Sequence, residues 1–270
     1  MSMSKNIPQR ILIVGGGSAG WMAANLFLEA WGKLGVEISL IESSEVSTIR
    51  VGEGSTPHLK HFFTTLGVSE REWMPACNAT YKAGIRFVGW SKHAGYKSYF
   101  HPFCSSFDRD AAGEFFRAAD GQRNGRHGGV HPDQYFLPTQ LTREQLSPVP
   151  VPAEEFSDQV EYGYHFDAGL LAKFLRTRAI AQGLRHYDDH VTTVARSEDG
   201  AIAHVETRQS GNLSADLYID CTGFSRLLIG QALGEKLIPF KENLFNDSAI
   251  TIQTPVASGT PITPQTVSHA

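Results

Sequence analysis

The feature that most constrains the fold is the segment of residues 11–24, in which four apolar β-formers lead directly into a glycine-rich turn. A helical pattern follows the turn at once. A strand, a G-x-G-x-x-G turn and a helix in this order are typical of dinucleotide-binding α/β proteins. In such a turn Gly15 permits the tight bend, Gly17 lets the backbone approach a pyrophosphate, and Gly20 lets the helix pack against the strand.

An acidic residue follows this motif where a nucleotide ribose would lie. The apolar strand of residues 36–41 ends at Glu42, about 20 residues beyond the last glycine. An acid at this position binds the ribose hydroxyls and disfavours a 2′-phosphate, so we expect FAD or NAD rather than NADP. The pyrophosphate is expected on the free N–H groups around Ser18 and Ala19, where the helix dipole favours negative charge.

Composition indicates a globular protein, since 41% of the 270 residues are hydrophobic and the net charge is −4. No basic stretch is dense enough for a nucleic-acid groove, and no apolar run approaches the roughly 18 residues of a membrane span. The three cysteines are widely separated, so neither a disulfide framework nor a C-x-x-C metal site is indicated. The four histidines of residues 93–131 lack paired ligand spacing, so we expect no metal. Residues 1–9 have no signal-peptide core, which predicts a cytoplasmic protein.

Beyond the first βαβ unit the pattern predicts two short helices and then a strand. Pro57 can occupy the first turn of a helix, and Ser69 and Glu72 have the spacing of a capping box for the next. From residue 81 to residue 88 apolar and polar residues alternate, which predicts one strand. Lys82 is expected on its polar face, where Gly84 would leave space beside it.

The second half of the chain returns to regular structure after an irregular stretch. Residues 95–152 are predicted to be irregular apart from one short helix, and the glycine-rich residues 121–129 are predicted not to pack. The later predictions are a helix after Asp167, a hairpin of residues 191–195 and 201–207, and a strand of residues 213–219 that leads to Asp220 and Gly223.

Further segments match one protein family in the family's order. They are residues 15–24 with a tryptophan after the third glycine, 51–57 (VGEGSTP), 81–83 (YKA), 101–103 (HPF) and 220–223 (DCTG). In these residues the chain resembles flavin-dependent halogenases of the tryptophan halogenase type. Members of that family are longer, and this chain resembles their N-terminal half.

The resemblance implies an α/β fold, with a Rossmann-like FAD-binding sheet and an inserted irregular or helical substrate-binding region. The expected segments are 1–94 and 161–247 for the two parts of the FAD-binding domain, 95–160 for the inserted substrate-side region, and 248–270 for the start of a truncated C-terminal part.

FAD, used as FADH2, is the cofactor that the resemblance implies. The loop of residues 43–56 is expected to strap across the flavin, with Val191 near the adenine. The expected cofactor-binding residues are Gly15, Gly17, Ser18, Ala19, Gly20, Glu42, Arg50, Gly52, Glu53, Val191, Asp220 and Gly223. A separate flavin reductase would supply FADH2, with O2 and a halide, chloride or bromide, as co-substrates.

The catalytic residue that the resemblance implies is Lys82, which matches the family's essential lysine. His101 and Phe103 match the pair whose rings sandwich the substrate. The implied activity is halogenation of an indole-type or other electron-rich aromatic by hypohalous acid guided by the lysine. The lysine ammonium can donate a hydrogen bond to this oxidant; alternatively burial, which lowers a lysine's pKa, favours a neutral amine that forms a haloamine.

Two other functions stay open at this point. Another FAD-dependent monooxygenase would share the sheet but give an oxygenated product, and an inactive FAD-binding fragment would bind nucleotide without turnover. The family's second catalytic residue (a glutamate) and its halide loop have no match in residues 1–270, so we expect the 270-residue chain alone to be inactive. A homodimer is compatible with the resemblance.

Overall fold

The computed structural model describes residues 7–46, 52–126, 130–149 and 160–270. The chain forms two compact units. Unit 1 comprises Met1–Val51 and Ala168–Gln253, and unit 2 comprises Gly52–Asp167 and Thr254–Ala270. The boundaries of these units differ from those of the predicted segments. The assignment of the segments to cofactor or substrate binding stays a prediction.

The secondary-structure elements are numbered in chain order. The strands are β1 (Arg10–Val14), β2 (Glu37–Glu42), β3 (Gly52–Gly54), β4 (Thr80–Lys82), β5 (Gly84–Val88), β6 (Ser98–Pro102), β7 (Gly163–Asp167), β8 (Arg185–Asp188), β9 (Val191–Arg196), β10 (Ile202–Thr207), β11 (Asn212–Leu213), β12 (Leu217–Asp220) and β13 (Gln265–His269). The α-helices are α1 (Ser18–Trp31), α2 (His58–Thr65), α3 (Glu70–Ala76), α4 (Arg109–Arg123), α5 (Leu137–Arg143) and α6 (Ala168–Ala181). Within the described ranges, none of the helices has the length and apolar character needed to cross a membrane.

Unit 1 is built on a parallel sheet with the strand order β12-β1-β2-β8. Strands β1 and β2 are buried at nearly every position, as expected of a parallel sheet that is covered on both faces. The Rossmann-like fold class predicted from the sequence is confirmed. The single strand predicted at residues 213–219 is wrong in extent: residues 217–219 belong to this sheet as part of β12, whereas Leu213 belongs to β11 in another sheet.

Helix α1 follows the glycine turn and packs against α6. Between the two helices lies Asn25, which is fully buried at 0% exposure. Its Nδ2 donates to the carbonyl of Leu175 at 3.0 Å and to that of Trp21 at 2.8 Å, while Arg178 Nη1 donates to its Oδ1 at 3.1 Å. Because this buried amide has its partners, it stabilises the contact that holds α1 beneath the turn.

The predicted hairpin is present as β9 and β10, which β11 extends to a three-stranded antiparallel sheet. Gly200 in the turn has φ of +87°, a left-handed conformation that glycine adopts without steric cost. Val205 of β10 is fully buried and forms one hydrophobic cluster with Leu12, Val14 and Ile41 of the parallel sheet. The hairpin thereby covers one end of the core of unit 1.

Unit 2 contains two three-stranded sheets, with the orders β3-β7-β4 and β13-β5-β6. The prediction of one strand over residues 81–88 is therefore wrong. At Ala83 the chain leaves the first sheet and enters the second: its N–H donates to the carbonyl of Pro264 at 2.7 Å, and its carbonyl accepts from Phe103 N–H at 3.0 Å. The alternation of apolar and polar residues continues across this break, so periodicity could not reveal it.

Residues 95–152 are more regular than predicted, since they contain β6, α4 and α5. Helix α4 is longer than the short helix expected there and includes Gly121, which was predicted not to pack. Asp108 stabilises the regular structure of this region. It is 2% exposed and accepts hydrogen bonds from Ser105 N–H and Leu137 N–H, each at 2.8 Å. The buried carboxylate thus connects the start of α4 to α5.

The two short helices of unit 2 lie where the sequence predicts them, as α2 and α3. Pro57 precedes α2 directly. The predicted capping box is wrong: Ser69 occupies the N-cap of α3, but its side chain makes no cap hydrogen bond. The buried acidic residue of this turn is Glu70, which is 4% exposed.

Candidate active site

The glycine turn after β1 leaves no room for side chains. Gly15 has φ of +111°, and a Cβ atom there would lie 2.2 Å from the carbonyl oxygen of Cys221. A Cβ atom on Gly20 would lie 1.9 Å from the carbonyl oxygen of Gly15. Gly17 occupies the N-cap of α1 and has no side chain with which to cap it. The turn therefore presents the first N–H groups of α1, those of Ser18 and Ala19, as an anion-binding end.

Glu42, the last residue of β2, turns its carboxylate towards the glycine turn. A Cβ atom on Gly16 would lie 1.5 Å from Glu42 Oε2, so only glycine fits at that position. Glu42 Oε1 lies 3.1 Å from His186 Nε2 and 3.4 Å from Arg176 Nη1. Sequence reasoning located the acid but missed His186 and Arg176, because these two partners come from β8 and α6, far along the chain.

Asp220, at the end of β12, accepts hydrogen bonds from the residues that follow it closely in sequence. Its Oδ1 accepts from Thr222 Oγ1 at 2.6 Å, and its Oδ2 accepts from the N–H groups of Leu228 and Ile229 at 2.8 and 2.9 Å. Burial would raise the pKa of Asp220, but these hydrogen bonds hold it below the ordinary value. The carboxylate fixes the loop that contains Gly223, whose φ is +62°.

The other predicted cofactor residues are distributed over both units. Val191 begins β9 in unit 1 and packs against the hydrophobic cluster there. Gly52 and Glu53 belong to unit 2, where they pair with Asp167 and Phe166 of β7, so the predicted loop is a strand at these positions. Arg50 lies outside the described residues.

Lys82, the predicted catalytic residue, is buried at 4% exposure at the end of β4. Its Nζ lies 5.6 Å from the centre of the Phe103 ring, within the range of a cation–π contact. Among the residues that the structure describes, no carboxylate forms an ion pair with it. Burial lowers the pKa of Lys82 from its ordinary value, because removing the ammonium from water disfavours the charged form.

The space beside Lys82 is provided by Gly54, not by Gly84 as predicted. A Cβ atom on Gly54 would lie 3.0 Å from Lys82 Nζ, 3.3 Å from His165 Cδ2 and 3.4 Å from Thr266 Oγ1. Gly84 serves another purpose: a Cβ atom there would lie 2.3 Å from the carbonyl oxygen of His101, so glycine allows β5 and β6 to approach. Sequence reasoning did not assign a role to His165 or Thr266.

The predicted aromatic pair lies at the end of β6. His101 is exposed and pairs with Ile85 of β5, and its ring centre lies 6.5 Å from that of Phe87. Phe103 is half-buried and faces Lys82 as described above. The structure thus brings one of the two predicted substrate-binding rings to the lysine and leaves the imidazole of the other open to solvent.

The chain matches a known protein family over most of its length. A profile of the family described as tryptophan halogenase matches residues 10–270. The chain belongs to the tryptophan halogenase family. A curated relative, the tryptophan 6-halogenase of Streptomyces toxytricini, is 35% identical over 94% of this chain and 51% of the relative. The tryptophan 7-halogenase of Lentzea aerocolonigenes is 34% identical over 91% of this chain and 48% of the relative.

Solved structures of halogenases share the fold. The crystal structure of the Streptomyces toxytricini tryptophan 6-halogenase superposes with a TM-score of 0.83 at 34% identity and covers 97% of this chain and 53% of that one. A tryptophan halogenase from Shewanella frigidimarina gives a TM-score of 0.85 at 31% identity, with coverage of 100% and 53%. This halogenase-family chain therefore spans about half the length of the relatives that it matches.

A buried carboxylate lies on the opposite face of the sheet from Lys82. Glu70 is 4% exposed. It accepts hydrogen bonds from Tyr164 at 2.6 Å, Tyr162 at 2.9 Å and Tyr81 at 3.1 Å. Burial and the Glu70 carboxylate raise the pKa of Tyr162 and Tyr164 far above its ordinary value. Because Tyr81 and Lys82 are consecutive in β4, their side chains point to opposite faces, and this tyrosine cluster fixes β4 beneath the lysine.

Replacing Glu70 by glutamine is expected to lower the free energy of unfolding by about 1–3 kcal/mol, the scale of hydrogen bonds made to a charged group. The amide keeps the shape but offers the three hydroxyls one acceptor oxygen instead of two. Thermal and denaturant unfolding of the full-length gene product measures the change. Glu72→Gln, at an exposed position of the same helix turn, is the control and should leave stability unchanged. Equal stability of the two variants would contradict the role of Glu70.

Proposed function

We propose that the full-length gene product is an FADH2-dependent halogenase that transfers halogen to an indole-type or other electron-rich aromatic. The observation that carries the proposal is a buried lysine, Lys82, whose ammonium packs closely against Gly54 and lies beside the Phe103 ring, in a chain of the tryptophan halogenase family. The two relatives described above are named for tryptophan, which makes tryptophan the first substrate to test.

The flavin would be held by the glycine turn and the strand ends of unit 1. The backbone cradle fits this group: side chains are excluded at Gly15 and Gly20, as expected of the tight bend and the close helix packing in a dinucleotide-binding turn. Ser18 and Ala19 would bind the pyrophosphate through their N–H groups, and Glu42 the ribose. When bound and reduced, the flavin supplies, with O2 and a halide ion, the oxidised halogen.

Lys82 is proposed to hold hypohalous acid and direct it to the aromatic ring. As an ammonium it donates a hydrogen bond to the oxygen, which makes the halogen more electrophilic. As a neutral amine, which its lowered pKa favours, it can attack the halogen, release water and become a haloamine. In either case the ring carbon takes the halogen without its bonding electrons and then loses a proton.

The aromatic substrate is proposed to lie against Phe103, with His101 as a second wall. Offset stacking of two rings contributes about 0.5–1.5 kcal/mol beyond the burial of their area, enough to select one orientation of a flat substrate. The distance of 5.6 Å from Lys82 to the Phe103 ring supports a substrate edge within reach of the lysine.

Mass spectrometry of the product tests the proposed function. The full-length gene product is supplied with FAD, a flavin reductase, NADH, bromide and tryptophan, and then with a panel of indoles and phenols. We expect a brominated product, recognised by the two bromine isotopes. A product that gains oxygen instead would establish the alternative monooxygenase, and flavin binding without any product would establish the inactive FAD-binding protein.

The proposed role of Glu42 predicts weaker flavin binding in Glu42→Gln. Loss of a charge-assisted hydrogen bond to the ribose should lower FAD affinity by about 1–3 kcal/mol, roughly five- to 150-fold. Fluorescence titration measures this. Glu37→Gln is the matched control, since Glu37 lies at the other end of β2 and pairs with Arg185 at 2.6 Å. Equal FAD affinity in both variants would exclude Glu42 from the cofactor site.

A further inference from the structure

Two polar side chains that the proposed mechanism does not use face the same space as Lys82. Along residues 162–165, which lead into β7, the side chains alternate: Tyr162 and Tyr164 point to Glu70, while Gly163 and His165 point to the face of Lys82. Gly163 lies opposite Lys82 in the sheet and adds no side chain there. The imidazole of His165 is therefore the group of β7 that borders the lysine.

His165 is joined to a hydroxyl from a distant part of the chain. Its Nε2 lies 2.9 Å from Thr266 Oγ1, on β13. The three groups nearest to a Cβ atom on Gly54 are the Lys82 ammonium, the His165 ring and the Thr266 hydroxyl. These three side chains thus converge beside Gly54, where even a Cβ atom would be held tightly.

We propose that the Thr266 hydroxyl, oriented by His165, is a second binding group for hypohalous acid, beside the Lys82 ammonium. The proposal rests on the proposed halogenase function and adds a residue to it. Thr266 would contact the oxidant directly, and His165 is a positioning residue that acts through Thr266.

The hydrogen-bonding capacity of the oxidant explains why one lysine is insufficient. Hypohalous acid has an oxygen that accepts hydrogen bonds and an O–H group that donates one. A lysine ammonium has three donors and no acceptor, so it satisfies only the oxygen. A hydroxyl can donate and accept at the same time. If Thr266 donates to His165, its oxygen accepts from the oxidant, and the halogen is the end that is left free.

The state of His165 fits this arrangement. Burial and, second, the charge of Lys82 lower the pKa of His165 below its ordinary value, so the ring is neutral at pH 7. A neutral imidazole keeps one acceptor nitrogen for the Thr266 hydroxyl, whereas a protonated ring only donates.

Thr266→Val and Thr266→Ser separate the hydroxyl from the shape of the side chain. In the full-length gene product with bromide, we expect Thr266→Val to form about tenfold less halogenated product per reduced flavin oxidised, since one hydrogen bond is lost. Flavin oxidation should continue at the wild-type rate, and the missing halogen should appear on a nucleophilic trap in solution. Thr266→Ser should keep the ratio of product to flavin within about twofold of the wild type, the variation expected of a substitution that removes no interaction.

His165 is tested through the same ratio. His165→Leu should reproduce the loss of Thr266→Val, and His165→Gln, which keeps an acceptor, should recover part of the product. Thr65→Val is the control, because Thr65 is an exposed threonine of unit 2 whose hydroxyl donates to the carbonyl of His61 at 2.9 Å.

An unchanged ratio of product to flavin in Thr266→Val would overturn the proposal. Equal losses in Thr266→Val and Thr266→Ser, accompanied by a lower melting temperature, would also overturn it in favour of a packing role. If the wild type makes no halogenated product, the proposed function fails. If the wild type makes halogenated product and Lys82→Met makes none, the proposed function stands. If Thr266→Val then gives the wild-type ratio, only the proposed role of Thr266 fails.

Discussion

Replacing Lys82 by methionine is expected to abolish halogenation while leaving the protein folded and its flavin bound. Methionine keeps the unbranched shape of a side chain that is 4% exposed, but it can neither donate a hydrogen bond nor form a haloamine. The rate of product formation should fall by about 100- to 10,000-fold, the range for loss of a positioned proton-donating group. Product analysis by mass spectrometry under excess bromide measures the rate.

A matched lysine controls for the change of charge. Lys92→Met alters an exposed lysine of unit 2 and should leave the rate within about twofold of the wild type, as surface changes usually do. Lys82→Arg should also fail, because a guanidinium stays protonated and has a different shape. Product from Lys82→Met at the wild-type rate would remove Lys82 from the mechanism.

Gly20→Ala is expected to remove flavin binding. The new Cβ atom would lie 1.9 Å from the backbone oxygen of Gly15, and a backbone atom cannot move aside as a side chain can. The turn must therefore open, which displaces the N–H groups at the start of α1. We expect FAD affinity to fall by at least roughly 100-fold, or about 2.8 kcal/mol. Isothermal titration with FAD measures the loss.

Gly32→Ala is the control in the same segment. It lies just after α1, with φ of −57°, and the nearest heavy atom to its Cβ position is Leu28 Cδ2, at an ordinary 3.7 Å. Alanine is therefore accommodated there and should leave FAD affinity unchanged. If Gly20→Ala binds FAD as tightly as Gly32→Ala does, the turn is not the flavin site.

Local sequence patterns were sufficient to predict most of the strands and helices of unit 1. The strand, the glycines and the acid of residues 11–42 occur within one short βαβ unit, so each constraint acts on its neighbours. The positions of β12 and of the β9–β10 hairpin followed from the same kind of pattern. The collision that requires glycine at Gly16 could not be predicted, because it depends on how closely the end of β2 approaches the turn.

Long-range contacts limited the prediction of unit 2. His165 and Thr266 are 101 residues apart and meet because β13 pairs with β5 in parallel, which no periodicity indicates. Glu70 has the local pattern of an exposed helix start, yet it accepts hydrogen bonds from three tyrosines, one in β4 and two in or next to β7. In both cases a polar residue of ordinary local pattern is buried through partners distant in sequence.

The central claim is that Lys82 acts on the oxidised halogen and not on the flavin. The most direct test counts reduced flavin oxidised, halogenated aromatic formed and halogen captured by a soluble nucleophilic trap, in wild type and in Lys82→Met. We predict equal flavin oxidation in both proteins, with halogen on the aromatic in the wild type and on the trap in the variant. Loss of flavin-dependent halide oxidation in Lys82→Met, with nothing on the trap, would contradict the claim and assign Lys82 to the flavin reaction.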